Sequence, residues 1–240
     1  ELLAAWEERR PVSYISDGTR RSCGPGIAAW PDAVVRKPYE PTPRLVIVGG
    51  DPTALAIAEL GVKSGFETTL VRPKGPASPP PIPGLAYRRE EPGEALAAVG
   101  LDSWTAVAVA THDLETDRAA LKVALPSSAS YVGLLGARRR LAGRLDELKF
   151  EGMAESALAR LHAPIGLDIG GKAPFEVAVS VIGEITAVRY ARGSGSTSTV
   201  SPASSAGAPP ARRTSASWLS SGVRGAAART CAGRTCSANA

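Results

Sequence analysis

Residues 162–170 read His-Ala-Pro-Ile-Gly-Leu-Asp-Ile-Gly, and they bring an imidazole, a carboxylate and two glycines into one short stretch. Histidine changes its charge near neutral pH, and a carboxylate accepts hydrogen bonds from a ligand or from the backbone. Pro164 restricts the backbone, whereas Gly166 permits angles that other residues avoid. We therefore predict a loop of fixed shape, in which Asp168 either braces the loop or contacts a ligand.

The other histidine of the chain lies in a second polar motif, Thr111-His112-Asp113, which follows an apolar run. The hydroxyl, the imidazole and the carboxylate could orient a ligand or move a proton near neutral pH. In the structural alternative, Thr111 or Asp113 caps the following helix while His112 packs against its neighbours. The sequence leaves both interpretations open.

A pair of glycines, Gly49 and Gly50, ends another apolar run and precedes a helical pattern. Such a turn lets the backbone approach a phosphate at a helix N-terminus. Asp51 and Pro52 suit a simpler role as the N-cap and the first residue of the helix. An uncompensated carboxylate repels a pyrophosphate, so Asp51 argues against ordinary NAD binding.

Two basic segments could bind an anion. Arg72 and Lys74 follow the second strand pattern, where NAD-binding proteins place an acid, and they suit a phosphate such as that of NADP. Arg138, Arg139 and Arg140 begin a helix after Gly136 and could clamp an anion, although cations there oppose the helix dipole. Both segments could equally be solvated surface.

The cysteine and charge counts narrow the class of protein. With no cysteine between Cys23 and Cys231, an ordinary zinc site has too few ligands, and three scattered cysteines do not form a disulfide framework. The net charge is +5, but the five arginines of residues 193–240 account for all of it. A neutral body does not favour nucleic-acid binding.

Without an apolar run near 20 residues or a signal segment, we expect a cytoplasmic protein with no membrane partner.

Apolar strand patterns alternate with helical patterns from residue 45 onward. Strands are predicted at 45–48, 68–71, 85–88, 105–110 and 129–135, and helices at 54–60, 90–99, 114–125, 137–150 and 174–190. This alternation predicts an α/β fold with a doubly wound, mostly parallel, Rossmann-like sheet. Ligands bind such sheets where the strand order reverses, so the motifs above should border one crevice.

The chain divides into three parts. Residues 1–43 are predicted to be the remnant of an N-terminal region, with a short opening helix and a proline linker, and residues 44–192 form the Rossmann-like domain. Residues 193–240 are a low-complexity basic tail, which we predict to be disordered because it has little apolar surface to bury. The tail's composition changes so abruptly that we expect a non-native end. Because Met153 is the only methionine, we expect a truncated N-terminus.

Three motifs, at residues 108–113, 131–139 and 162–170, resemble in order and spacing the C-terminal Rossmann-like domain of the XdhC/CoxI family. The resemblance covers about residues 43–192. It implies an accessory protein, rather than an enzyme, that binds the molybdenum cofactor, supports its sulfuration and inserts it into an apo molybdenum hydroxylase, such as xanthine dehydrogenase or carbon monoxide dehydrogenase. It also implies a cysteine desulfurase as a partner and leaves room for a homodimer.

The resemblance assigns cofactor-binding residues but no catalytic residue and no metal ligand. The predicted set is Gly49, Gly50, Arg72, Thr111, His112, Asp113, Gly136, Arg138, His162, Gly166 and Asp168. Two departures indicate a truncated or divergent member: the family's first glycine loop reads like Gly-Ala-Gly-His, and its N-terminal Gly-Gly-Cys motif has no clear copy here. An NAD(P)-dependent oxidoreductase and a noncatalytic assembly partner of the hydroxylase are the alternatives.

Overall fold

The computed structural model describes residues 1–25, 30, 32–136 and 138–193. The predicted tail and its two cysteines, Cys231 and Cys236, lie outside this range, except for Gly193. In the described residues, no helix is both long enough and apolar enough to cross a membrane.

The first 43 residues contain more regular structure than the sequence predicts. They form α1 (Leu2–Glu7) and a three-stranded antiparallel sheet of β1 (Val12–Ser16), β2 (Arg21–Gly24) and β3 (Val35–Tyr39), with β1 in the centre. The sequence signal is weak because these strands are short and polar. A proline in β3 is tolerated because β3 is an edge strand.

A second sheet of six parallel strands forms the main body. Its strands are β4 (Arg44–Gly49), β5 (Glu67–Val71), β6 (Ala86–Arg88), β7 (Thr105–Ala110), β8 (Tyr131–Leu134) and β9 (Leu161–His162). The helices are α2 (Pro52–Lys63), α3 (Pro92–Val99), α4 (Leu114–Ala124), α5 (Arg138–Phe150), α6 (Glu155–Leu158) and α7 (Pro174–Gly193). The spatial order is β6-β5-β4-β7-β8-β9, which confirms the doubly wound fold.

The hydrophobic core lies on both faces of this sheet. Within β4, Leu45 and Ile47 pack on the face covered by α2 and α7, whereas Val46 and Val48 pack on the face covered by α3, α4 and α5. Every residue of β7 is buried. Burial on both faces explains why these strands read as continuous apolar runs rather than alternating ones.

Two elements of the domain after residue 43 were not predicted, namely β9 and the short helix α6. Strand β9 has only two residues, and it pairs His162 with Gly133 of β8. His162 therefore lies in an edge strand, and the loop predicted at 162–170 begins one residue later. The strand order reverses between β4 and β7, as expected from the fold class.

Candidate functional site

Gly49 ends strand β4 at the point where the strand order reverses. It is the last residue of β4 and pairs with Ala110, the last residue of β7. A Cβ atom at Gly49 would overlap the carbonyl oxygen of Ala110, and the Gly49 φ angle is +153°. Only glycine fits this position without displacing the strand ends, from which the chain leaves towards α2 on one face and α4 on the other.

Asp51 has the structural role that its sequence context allowed. Its carboxylate accepts a hydrogen bond of 2.7 Å from the backbone nitrogen of Ala54, and Pro52 begins helix α2. The N-capping interpretation is therefore confirmed. The carboxylate occupies the helix N-terminus, where a pyrophosphate would need free backbone donors. Its second oxygen lies 3.4 Å from Nε2 of His112.

Arg72 crosses the glycine turn. A Cβ atom at Gly50 would overlap the Nε, Cδ and Cζ atoms of Arg72, and one at Gly75 would lie 2.7 Å from its Cδ and Cγ atoms. The side chain thus runs between two glycines that leave space for it. In the part of the chain that the structure describes, no hydrogen bond or ion pair engages its guanidinium group.

The motif Thr111-His112-Asp113 lies beside the glycine turn. Asp113 caps α4 by accepting a hydrogen bond from the backbone nitrogen of Glu115, and Lys74 Nζ lies 3.2 Å from its Oδ2. Hydrogen bonds from the Thr116 hydroxyl and from Lys74 hold the pKa of Asp113 below its usual value. The capping alternative is confirmed for Asp113. The same alternative predicted that His112 packs against its neighbours. That part is wrong, because the His112 side chain is 77% exposed.

A buried ion pair that was not predicted from the sequence holds Thr111 of this motif in place. The Thr111 hydroxyl donates a 2.5 Å hydrogen bond to Oδ1 of Asp117, and Nη1 of Arg144 donates a 2.9 Å hydrogen bond to Oδ2. The Asp117 side chain is only 3% exposed. Burial raises the pKa of Asp117, although the Thr111 hydrogen bond and the Arg144 charge act in the opposite direction. The network links α4, α5 and the end of β7.

The predicted anion clamp at Gly136 and Arg138 is described only in part. Gly136 follows β8, and a Cβ atom there would lie 3.5 Å from Nη1 of Arg144. Arg138 begins α5, but the position of its side chain lies outside the described residues. Among the described side chains, Arg144 provides a cation beside Gly136.

His162 contacts helix α7 rather than the glycine turn. Its Nδ1 lies 3.0 Å from Oε1 of Glu184, and its ring packs on the Tyr131 ring with centroids 4.4 Å apart. Oε2 of Glu184 accepts hydrogen bonds from the Tyr131 hydroxyl (2.5 Å) and from the Gly166 backbone nitrogen (2.7 Å). Neither Glu184 nor Tyr131 was predicted as a site residue.

The pKa values of this group follow from its burial and its hydrogen bonds. Burial raises the pKa of Glu184, but hydrogen bonds from His162, Tyr131 and Gly166 more than offset this effect, so the pKa lies below its usual value. Burial and the neighbouring carboxylate raise the pKa of Tyr131. Glu184 is therefore an ionised acceptor near neutral pH, and Tyr131 is a donor.

The loop after His162 is held by packing in its first half and is exposed in its second half. Ile165 is buried against Gly133, and a Cβ atom at Gly166 (φ +92°) would overlap Oγ of Ser180. Leu167, Asp168 and the residues up to Gly170 are exposed. Contacts with β8 and α7 thus account for a fixed shape in the first half of the predicted loop.

The described contacts place eight of the predicted residues in two groups, and Gly136, Arg138 and Asp168 belong to neither. We call Gly49, Gly50, Arg72, Thr111, His112 and Asp113 the switch-point cluster, because direct contacts or strand pairing join the segments that carry them. We call Tyr131, His162, Gly166 and Glu184 the edge cluster. Each cluster is held by its own hydrogen bonds and packing.

An apolar groove lies elsewhere in the described part of the chain. It has a volume of about 560 Å³ and runs along the outer side of α2, between the proline segment 80–83 and Phe175. No predicted site residue lines it. The groove lacks the glycines and the arginine of the switch-point cluster, so its size alone does not make it the better candidate for the functional site.

The sequence matches a known family across the six-stranded sheet. Residues 45–185 match the family model of the XdhC Rossmann domain. The chain belongs to the XdhC family. The match covers more than half of the chain and includes every predicted site residue, so both clusters belong to the XdhC Rossmann domain.

Three curated proteins resemble this XdhC-family chain. It is 30% identical to the uncharacterized protein YqeB of Escherichia coli over 79% of this chain and 36% of YqeB. It is 28% identical to a probable xanthine dehydrogenase subunit of Bacillus subtilis over 62% of this chain and 44% of the relative. It is 27% identical to the molybdenum cofactor insertion chaperone PaoD of Escherichia coli over 78% of this chain and 54% of PaoD. The chain thus spans about a third to a half of these relatives.

One solved structure supports the fold. The crystal structure of a xanthine dehydrogenase from Bacillus halodurans aligns with a TM-score of 0.62 and 19% identity, over 81% of this chain and 64% of that chain. At this identity the similarity is evidence for the architecture alone.

Proposed function

We propose that this XdhC-family chain binds the molybdenum cofactor, supports its sulfuration and helps to insert it into a xanthine dehydrogenase or carbon monoxide dehydrogenase type hydroxylase. It does so as an accessory protein rather than as an enzyme. The observation that carries the proposal is the Arg72 guanidinium, which no described residue pairs and which lies between Gly50 and Gly75 where the strand order reverses.

The residues of the switch-point cluster fit an anionic pterin cofactor. A guanidinium group binds a phosphate through two parallel hydrogen bonds, and glycines let the backbone approach a ligand closely. His112 is exposed beside them and offers a hydrogen-bonding ring. Arg72 would hold the phosphate, and Thr111, His112 and Asp113 would contact the rest of the ligand.

The same geometry disfavours a dinucleotide. The Asp51 carboxylate caps α2 and would repel a pyrophosphate at that helix N-terminus. Arg72 alone is compatible with the extra phosphate of NADP, so NADP is retained as an outcome of the binding experiment rather than as a second proposal.

The test is binding of isolated molybdenum cofactor to the purified chain, measured by retention after rapid gel filtration. Arg72→Ala should weaken binding at least about tenfold, a loss of roughly 1.4 kcal/mol, and Arg72→Lys should restore part of it because a lysine keeps the charge but not the planar fork. Lys63→Ala is the matched control, since it removes one positive charge at the far end of α2. Unchanged binding by Arg72→Ala, or tight NADPH binding with turnover, would contradict the proposal.

The client is tested separately. The relatives named as a cofactor insertion chaperone and as part of a probable xanthine dehydrogenase support a molybdenum hydroxylase as the partner. The cofactor-loaded chain should bind an apo-hydroxylase and raise its activity, and with a cysteine desulfurase present it should raise the sulfurated fraction. Binding to the apo-hydroxylase without any cofactor binding would favour the noncatalytic assembly partner. Sedimentation would show whether the chain forms a homodimer.

A further inference from the structure

We propose that Glu184 is a positioning residue that holds the proton of neutral His162 on Nδ1, so that Nε2 is left as a hydrogen-bond acceptor for a bound ligand. The position of the proton follows from the contacts of the edge cluster. The identity of the ligand rests on the proposed function, since a pterin ring presents N–H donors that such an acceptor could bind.

The two oxygens of Glu184 have different partners. Oε2 receives the Tyr131 hydroxyl and the Gly166 backbone N–H group, and Oε1 faces Nδ1 of His162 at 3.0 Å. An ionised carboxylate can only accept hydrogen bonds. Nδ1 must therefore carry the proton that lies between the two side chains, and in the neutral ring Nε2 has none.

The neighbours of His162 fix the position of its ring as well as the position of its proton. The buried Tyr131 ring stacks on His162 at an interplanar angle of 31°, and β9 pairs the backbone of His162 with Gly133. The His162 side chain is 31% exposed, so the ring is accessible from one side. A histidine with one nitrogen fixed by a carboxylate and the other open to a ligand is the arrangement by which proteins orient an imidazole for a specific task.

Glu184→Gln should reverse the position of the proton without removing a hydrogen-bonding group. Because the Gly166 N–H group can only donate, the new amide must turn its oxygen towards Gly166 and its NH₂ group towards His162. Nδ1 then has to accept, and the proton moves to Nε2. Tyr131→Phe is the matched control, since it removes one donor to Oε2 and leaves the contact between Oε1 and Nδ1 in place.

The measurement is a long-range ¹H–¹⁵N NMR spectrum of the full chain at a pH where both histidine rings are neutral. The chain has two histidines, so His112→Ala assigns both rings. We expect His162 protonated on Nδ1 in the parent chain and in Tyr131→Phe, and on Nε2 in Glu184→Gln. If Glu184→Gln does not fold, the spectrum of the parent chain still tests the proposal. A His162 ring protonated on Nε2 in that spectrum would overturn it.

Binding of isolated molybdenum cofactor gives the second readout. Glu184→Gln should weaken binding about tenfold, because it turns an acceptor into a donor facing the ligand, whereas Tyr131→Phe should weaken binding much less, because it keeps the aromatic ring and the proton on Nδ1. A reversed proton position with unchanged affinity would overturn the ligand role. If the parent chain binds no cofactor, the proposed function fails, while the NMR spectrum still confirms or overturns the positioning by Glu184.

Discussion

The Arg72 side chain lies so close over Gly50 that a Cβ atom there would overlap its Nε atom. At the preceding residue, Gly49, a Cβ atom would instead overlap the backbone carbonyl of Ala110 in a buried strand. The two glycines are thus required for different reasons. Gly49 lets two strands meet, and Gly50 lets a cation cross the turn.

Gly49→Ala and Gly50→Ala should separate these two roles. Gly49→Ala is expected to lower the free energy of unfolding by about 3 kcal/mol, because a strand carbonyl cannot move aside. Gly50→Ala should cost only about 1 kcal/mol, since the Arg72 side chain can turn away, but it should weaken cofactor binding as much as Arg72→Ala does. Urea denaturation and cofactor retention measure the two effects.

The control for this pair is Gly143→Ala. Gly143 lies within α5, and no described atom lies within 4 Å of a Cβ atom built there, so alanine should be neutral or should stabilise the chain by up to about 1 kcal/mol. Equal losses of stability for Gly49→Ala and Gly50→Ala, or full cofactor binding by Gly50→Ala, would contradict the distinction.

Asp117 and Arg144 form a buried ion pair, and Asp117 also accepts a hydrogen bond from the Thr111 hydroxyl. Arg144→Met should lower the free energy of unfolding by about 3–5 kcal/mol, because it leaves the Asp117 carboxylate buried without its counter-charge. Adding Asp117→Asn should recover most of that loss. The measurement is a double-mutant cycle in urea.

Lys149→Met serves as the control for this cycle, since it removes a half-exposed charge from the same helix and should change stability by less than about 0.5 kcal/mol. A double variant that is no more stable than Arg144→Met would show that packing by the arginine side chain, rather than its charge, supports the motif.

The sheet and its switch point could be predicted from the sequence because their signals are local. Strands β4 and β7 are buried on both faces and read as continuous apolar runs, and the order of strands in doubly wound folds then places Gly49 beside residues 111–113. The capping roles of Asp51 and Asp113 could also be predicted, since an N-cap is recognised from the residues that follow it.

The partners of the site residues could not be predicted because they are distant in the chain. Arg144 is 27 residues from Asp117, and Glu184 is 22 residues from His162 and 53 from Tyr131. A single charged residue on a helix has the same sequence pattern whether it is solvated or buried in a pair. Only the packing of α5 and α7 against the sheet distinguishes the two cases.

Glu184 should make stability depend on pH in acid. The hydrogen bonds of the edge cluster hold its pKa below the usual 4.5 in the folded chain, so the folded state favours the ionised carboxylate. This stabilisation is present above pH 4.5 and is lost as the pH falls through the folded-state pKa. The stability difference between the parent and Glu184→Gln should therefore shrink as the pH is lowered from 4.5.

The measurement is urea unfolding of both proteins at several pH values below about 5. Asp117 has a raised pKa, so its contribution to stability falls as the pH rises. Asp117 is present in both proteins, so its contribution cancels in the stability difference between the parent and Glu184→Gln. A difference that grows or stays constant as the pH falls would show that Glu184 is not stabilised in its ionised form.

The two histidines should respond differently to substitution. His112 is exposed, so His112→Ala should change the free energy of unfolding by less than about 0.5 kcal/mol while lowering cofactor retention. His162→Ala removes the hydrogen bond to Glu184 and the contact with the Tyr131 ring, so it should cost about 2 kcal/mol and also lower retention.

Asp168→Asn tests the exposed half of the loop without disturbing its packed half. Asp168 is exposed but takes part in an interaction within the chain, so the melting temperature is measured beside cofactor retention, and lower retention at an unchanged melting temperature would place this carboxylate at the ligand. If His162→Ala lowers only the melting temperature and Asp168→Asn retains the cofactor, the loop only braces the sheet. Ligand binding would then be assigned to the switch-point cluster alone, provided that Arg72→Ala and His112→Ala lower cofactor retention.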